Sequence, residues 1–171
     1  MDPAAPLNRI LTSQFQAALL MLRECMEKCP DEHWDSLIAR YTFWQVAYHT
    51  LCMVDCRLDL SDDAWQPHPV FHPAGRADLE DEYPSRRFTK AELLAYFDFC
   101  LGKLMATIPS ETAAALSAPA AGFPFSRAEL HIYSIRHIQH HTGAIAAHLR
   151  RMAPVLQGAK SLRWIGQGWH P

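Results

Sequence analysis

Residues 126–152 read Ser-Arg-Ala-Glu-Leu-His-Ile-Tyr-Ser-Ile-Arg-His-Ile-Gln-His-His-Thr-Gly-Ala-Ile-Ala-Ala-His-Leu-Arg-Arg-Met. Pro124 precedes this stretch and Pro154 follows it, with no proline between. Ser126 and Glu129 stand at capping-box spacing, which marks a helix start, and Pro154 closes the helix. A helix of this length places residues four apart on one face. His137 and His141 therefore present their imidazoles together, and two neutral imidazoles at that spacing can chelate one transition-metal ion. His140 points about 60° away from that face at ~100° per residue. It is read as a residue at the edge of the site or on the surface. His148 shares the face of His141 and is expected to be a capped core histidine.

Working outward, three more long helices are expected and almost no strand. Leu7, Ile10, Leu11, Phe15, Ala18, Leu19, Leu22 and Met26 recur at helical spacing over residues 7–28, and Pro30 ends that run. Thr42 and Gln45 form a capping box before a second helix over residues 43–60, with Val46, Leu51, Val54 and Leu58 on its apolar side. Thr89 and Glu92 form another before a third helix ending near Pro109, carrying Leu93, Leu94, Phe97, Leu101, Leu104 and Met105. Residues 113–124 read as a connector of small residues, and residues 157–171 as an irregular tail packed on the body. Residues 61–88, rich in proline, charge and aromatics, form a connection long enough to cross between parallel neighbours. The expected fold is all-α: one domain over residues 1–171, a four-helix bundle with a long crossover between helices 2 and 3.

In such a bundle the midpoints of the helices meet in one layer. His49 lies near the middle of the second helix and His137 and His141 near the middle of the last. The three imidazoles are thus candidates for one site, with a fourth position open to water, hydroxide or a thiolate. Asp55, Asp98, Glu129 and backbone carbonyls are the candidate acceptors for the second ring N–H of each ligand. Cys52 and Cys56 share a face with His49, so a thiolate-containing site on that helix is the rival, although free cysteine is commonly a small buried hydrophobe. The Glu-x-x-His pairs of di-iron bundles, the His-Glu-x-x-His of zinc proteases, glycine-rich phosphate loops and a Gly-x-Ser-x-Gly elbow are absent from the sequence. Haem ligation would leave the one-turn pair unexplained.

Composition excludes several classes. With a formal net charge of −2, 49% hydrophobic and 20% charged residues, the chain carries no electrostatic footprint for nucleic acid or an anionic membrane. No apolar run approaches the ~20 residues that span a bilayer. The N-terminal Met-Asp-Pro-Ala-Ala-Pro does not read as a signal peptide. Cys25/Cys29 and Cys52/Cys56 stand one turn apart on helices, a poor geometry for disulfides, so reduced thiols and a cytoplasmic location are expected. Arg57, Arg86 and Arg87 are basic residues near helix ends, read first as solvated charge and second as contacts for an anionic substrate.

The mid-helix Tyr48-His49-Thr50-Leu51, followed by His137-x-x-His140-His141-x-Gly143, resembles the DinB/YfiT-like superfamily. Its late motif runs approximately His-x-x-His-His-Arg-Gly-Gln. Thr142 stands where that family often has Arg, and Ala144 where it often has Gln; neither is a ligand position. The resemblance implies a four-helix bundle holding one divalent transition metal (zinc or nickel, or iron) on His49, His137 and His141. It also implies a small-molecule substrate, a low-molecular-weight thiol as cosubstrate, S-transfer or isomerisation through the thiol, and homodimers. Metal-assisted hydrolysis, a non-catalytic metal-binding stress protein and a metal-free interaction module are the alternatives.

Overall fold

A computed structural model describes residues 3–59, 65–72, 87–152 and 162–168. It is mainly helical: α1 (Ala5–Lys28), α2 (Phe43–Leu58), α3 (Lys90–Thr107), a short α4 (Ala113–Ser117) and α5 (Arg127–Met152). Two capping boxes form as read. Thr42 accepts from the Gln45 N–H, and Thr89 from that of Glu92, while each N3 side chain reaches back to its N-cap. At the start of α5, the Glu129 N–H donates to Ser126 Oγ at 3.3 Å.

Three local features depart from the sequence reading. Strands β1 (Leu37–Ile38) and β2 (Tyr41–Thr42) pair antiparallel, with Leu37 opposite Thr42 and Ile38 opposite Tyr41. Two residues per strand give no period to detect. The supposed connector carries α4, capped by Thr112, whose Oγ1 accepts from the Ala115 N–H. Leu7 and Ile10, assigned to the buried stripe, are 39% and 55% exposed. Ile10 lies ~100° around α1 from Leu11, beyond the edge of the buried face. Leu7 belongs to the first turns of α1.

Side-chain bonds fix the direction of each packed pair. Cys100 Sγ donates to the Leu51 carbonyl, and Lys103 to Asp55 and Asp59, so residue numbers on α2 and α3 rise together and these helices run parallel. Asn8 donates to the Glu111 carbonyl just beyond α3, Arg23 pairs with Asp98, and Lys90 donates to the Cys29 carbonyl, so α1 and α3 run antiparallel. Across α2 and α5, Arg57 meets Tyr133 while His49 meets His137, again antiparallel. α1 packs on α3 and α5, and α2 packs on the same two. Phe15, Leu19, Leu22 and Met26 of α1 meet Leu51, Leu93, Phe97, Leu104, Ile138 and Ile145 in one buried core.

Two buried polar clusters tie the ends of these helices together. Arg127, at the first turn of α5, donates to the carbonyls of Arg57, Leu58 and Asp59 at 2.6–2.7 Å, so it caps the C-terminus of α2 from another element. Its Nε pairs with Glu111, whose other oxygen meets His131 Nε2 at 2.7 Å. These partners hold the Glu111 carboxyl below its ordinary range despite burial, which alone would raise it. The second cluster docks residues 65–72 against α2 and α3. His72 lies between Tyr48 Oη at 3.0 Å and Tyr96 Oη at 2.7 Å, with Asp55 Oδ2 at 3.2 Å. Trp65 packs edge-on to the His72 ring. Residues 162–168 run along α1, with Arg163 on Glu24 and the Gly168 N–H on the Ser13 carbonyl. A Cβ at Gly168 would stand 2.3 Å from Gln16 Oε1 and 2.8 Å from the Ser13 carbonyl oxygen, so only glycine allows this approach. Trp169, Arg86 and Leu60 lie outside the described residues, as does most of the 61–88 connection.

Candidate metal centre

The antiparallel seam between α2 and α5 brings the three expected histidines together. His49 Nε2 lies 3.3 Å from His137 Nε2, which lies 3.2 Å from His141 Nε2. One nitrogen from each ring falls within 4.8 Å of the others. His49 is buried, and His137 and His141 are half-buried. The one-turn spacing of His137 and His141 places them side by side on α5, while the midpoint position of His49 on α2 supplies the third ring from across the seam.

The donor set fits a metal. Four nitrogens 2.0–2.1 Å from a tetrahedral ion stand about 3.3–3.4 Å apart, and the two bonded-range separations seen here match that edge closely. Protonation favours ligation too. Burial first, then the charge of Arg57 and the neighbouring imidazoles, pushes His137 down to about 2. Burial and the neighbouring His49, His140 and Arg57 push His141 down to about 4. Both rings are thus neutral at pH 7, the form that binds metal.

These shifts have a consequence for stability. Unfolded imidazoles titrate near 6.5, so below that pH the unfolded chain binds protons that folded His137 and His141 refuse. The metal-free protein is therefore expected to lose stability as the pH falls from about 6.5 toward 4. Melting temperatures in chelator at pH 7.5 and 5.0 should show the drop. The drop should shrink in the His137→Ala/His141→Ala variant; an equal drop in both would place the acid sensitivity elsewhere.

The remaining candidates do not join the cluster. His140 is exposed, its ring edge-on to His141 with 5.0 Å between centroids. His148 is buried as expected but not capped, since neither ring nitrogen has a hydrogen-bond partner among the described residues. Among the described residues no cysteine, aspartate or glutamate shares the site with the three histidines. Cys52 and Cys56 are buried on α2, and among the described residues neither belongs to a cluster that could hold a metal, so the thiolate-containing rival finds no support there. No disulfide forms among the five cysteines, and burial pushes the Cys25 and Cys29 thiols up to about 12. Two of the carboxylates considered as acceptors for the ligand rings are engaged otherwise: Asp55 with His72 and Lys103, Asp98 with Arg23. Glu129 is exposed. Arg87 forms a two-bond ion pair with Asp35 at 2.7 Å, which is a surface contact rather than part of the site.

Arg57 is the basic residue that does reach the neighbourhood, lying over the Tyr133 ring one turn before His137. Sequence reading placed it only near a helix end. The eight-residue spacing from His49, two turns on one side of α2, was the available signal. Among the described residues no helix is long and apolar enough to cross a membrane. Compared with known proteins, the chain matches no family model, no curated protein and no solved structure, so its chemistry is read from the histidine cluster itself.

Proposed function

We propose that this chain is a metal-dependent enzyme of DinB-like type, built as a four-helix bundle, that transfers a small thiol to an electrophilic small molecule or isomerises a substrate through that thiol. The single observation that carries the reading is the convergence of three imidazoles, two pairs of them at tetrahedral ligand spacing, with no fourth protein donor of Cys, Asp or Glu type among the described residues. Three protein ligands with one position left over is the pattern of catalytic zinc sites, whereas structural sites are closed by four. The parallel α2 and α3, joined by a long connection, support the up-down-down-up bundle.

His49, His137 and His141 would hold the ion, and zinc or nickel suits an all-imidazole set, with iron a third choice. A divalent metal there would supply Lewis acidity, lowering the pKa of a thiol or water at its open position. The half-buried His137 and His141 leave the site a face toward solvent through which a small molecule can enter. His49, held on the buried side, fixes the depth of the site. In the transfer, the thiol proton leaves to solvent or a neighbouring base, a carbon–sulfur bond forms, and the leaving group departs with its electron pair. The absence of any disulfide fits a reducing cytoplasm.

The test is a rate. Zinc- or nickel-loaded protein is incubated with a small thiol and 1-chloro-2,4-dinitrobenzene, beside the His137→Ala/His141→Ala variant. Metal-dependent thioether formation in the wild type alone supports transfer. Metal-dependent cleavage of p-nitrophenyl acetate without thioether formation would replace it with the hydrolase reading. Stoichiometric metal with neither activity would leave a binding protein.

A further inference from the structure

Two helices contribute unequally to the histidine cluster. α5 gives a pair four residues apart, His137 and His141, whereas α2 gives His49. The residue at the matching four-residue step on α2 is Met53. Along α2, Gln45, Met53 and Arg57 are the residues that rise above full burial, and with His49 at 8% exposure they form one stripe at four-residue spacing. The stripe runs along the seam with α5, since its His49 meets His137 and its Arg57 lies over Tyr133. Those two contacts bracket Met53. Because the helices are antiparallel, Met53 falls in the layer between His137 and Tyr133, next to the ring that stands at the centre of the cluster: His137 Nε2 lies 3.3 Å from His49 Nε2 and 3.2 Å from His141 Nε2.

Residues four apart on a helix stand about 6 Å apart at Cβ, the separation that lets one face give two ligands to one ion. His49 and Met53 have the spacing that His137 and His141 have, so the seam carries two such pairs facing each other. No Cys, Asp or Glu joins the cluster among the described residues, which leaves the thioether as the soft donor in this layer. Methionine is unbranched, flexible and polarisable, so its sulfur adapts its position more readily than a stiffer side chain would. Its chemistry is also selective. Zinc draws its protein ligands from cysteine, histidine, aspartate and glutamate, whereas thioether sulfur suits cuprous copper and imidazole suits copper as well.

We propose that Met53 is a soft fourth donor that makes the histidine cluster a copper(I) site of three imidazoles and one thioether. With zinc the same position stays open to a thiol or water. The inference rests on the metal site read above and goes beyond it, in adding a metal that Met53 selects.

The test compares two metals in two proteins. Full-length protein, with oxygen excluded, is titrated with Cu⁺ against bicinchoninate, a chromogenic Cu⁺ chelator, and separately with Zn²⁺ against a chromogenic zinc chelator. Met53→Leu, which nearly conserves volume, should lower Cu⁺ affinity about tenfold or more. Its Zn²⁺ affinity should stay within about twofold, which also reports an intact fold. Copper-edge X-ray absorption should show a sulfur neighbour in the wild type and none in Met53→Leu. Equal Cu⁺ affinities in the two proteins, or a nitrogen-only shell in the wild type, would overturn the proposal while leaving the zinc site standing. Copper held equally well by His137→Ala/His141→Ala would be bound by cysteines and would overturn it too. If Met53→Leu loses zinc along with copper, the wild-type absorption spectrum decides. A wild type that binds neither metal would remove the metal reading and this inference with it.

Discussion

Replacing His49 with alanine should lower zinc affinity by more than about a hundredfold, since even changes to the partners of metal ligands cost 10–100-fold. His49 is the one member of the histidine cluster supplied by α2, and its Nε2 stands 3.3 Å from that of His137. Without it, two imidazoles on one face of α5 remain, and these chelate far more weakly than a convergent triad. His140→Ala is the control. Its exposed ring stacks edge-on against His141 but lies outside the cluster, so the affinity should change less than about threefold. Competition with a chromogenic zinc chelator gives both values. A His140→Ala variant that emptied the site, with His49→Ala retaining its metal, would show that the ligands had been misassigned.

The second large effect is on stability. Arg127→Ala should destabilise the protein by about 3–5 kcal/mol, the usual penalty for removing one partner of a buried ion pair. Arg127 is 4% exposed, and its guanidinium serves both Glu111 and the last carbonyls of α2. Removing it leaves a buried carboxylate with the His131 ring as its remaining side-chain partner among the described residues and strands helix-terminal acceptors away from water. Urea unfolding at pH 7 measures the loss. A change below about 1 kcal/mol would mean that water replaces the guanidinium without difficulty, and that the cluster is not a structural tie.

What could be read in the sequence follows the range of the interactions. Thr42, Gln45, Thr89 and Glu92 are three-residue signals, and both boxes form where they were read. The helical repeat put His137 and His141 on one face, and the midpoint argument added His49; all three meet. Interactions between distant segments left no such trace. Arg127 caps α2 across about seventy residues, and His72 docks a loop between two tyrosines and Asp55. No local pattern announces either, because each depends on which helices become neighbours. The hairpin at residues 37–42 was too short for a period, and the exposure of Ile10 shows that an apolar residue near the edge of a stripe is not thereby in the core. Asp55 illustrates the same point for the site. Its position on α2 allowed it to serve a ligand histidine, but its carboxylate turns toward α3 and Lys103.

The most direct test of the central claim is elemental analysis of the untagged protein, purified without added metal, beside its His137→Ala/His141→Ala variant. The account predicts about one equivalent of zinc, nickel or iron per chain in the wild type and none in the variant. Metal in neither, even after reconstitution, would contradict it and leave a helical protein whose three imidazoles only pack against one another.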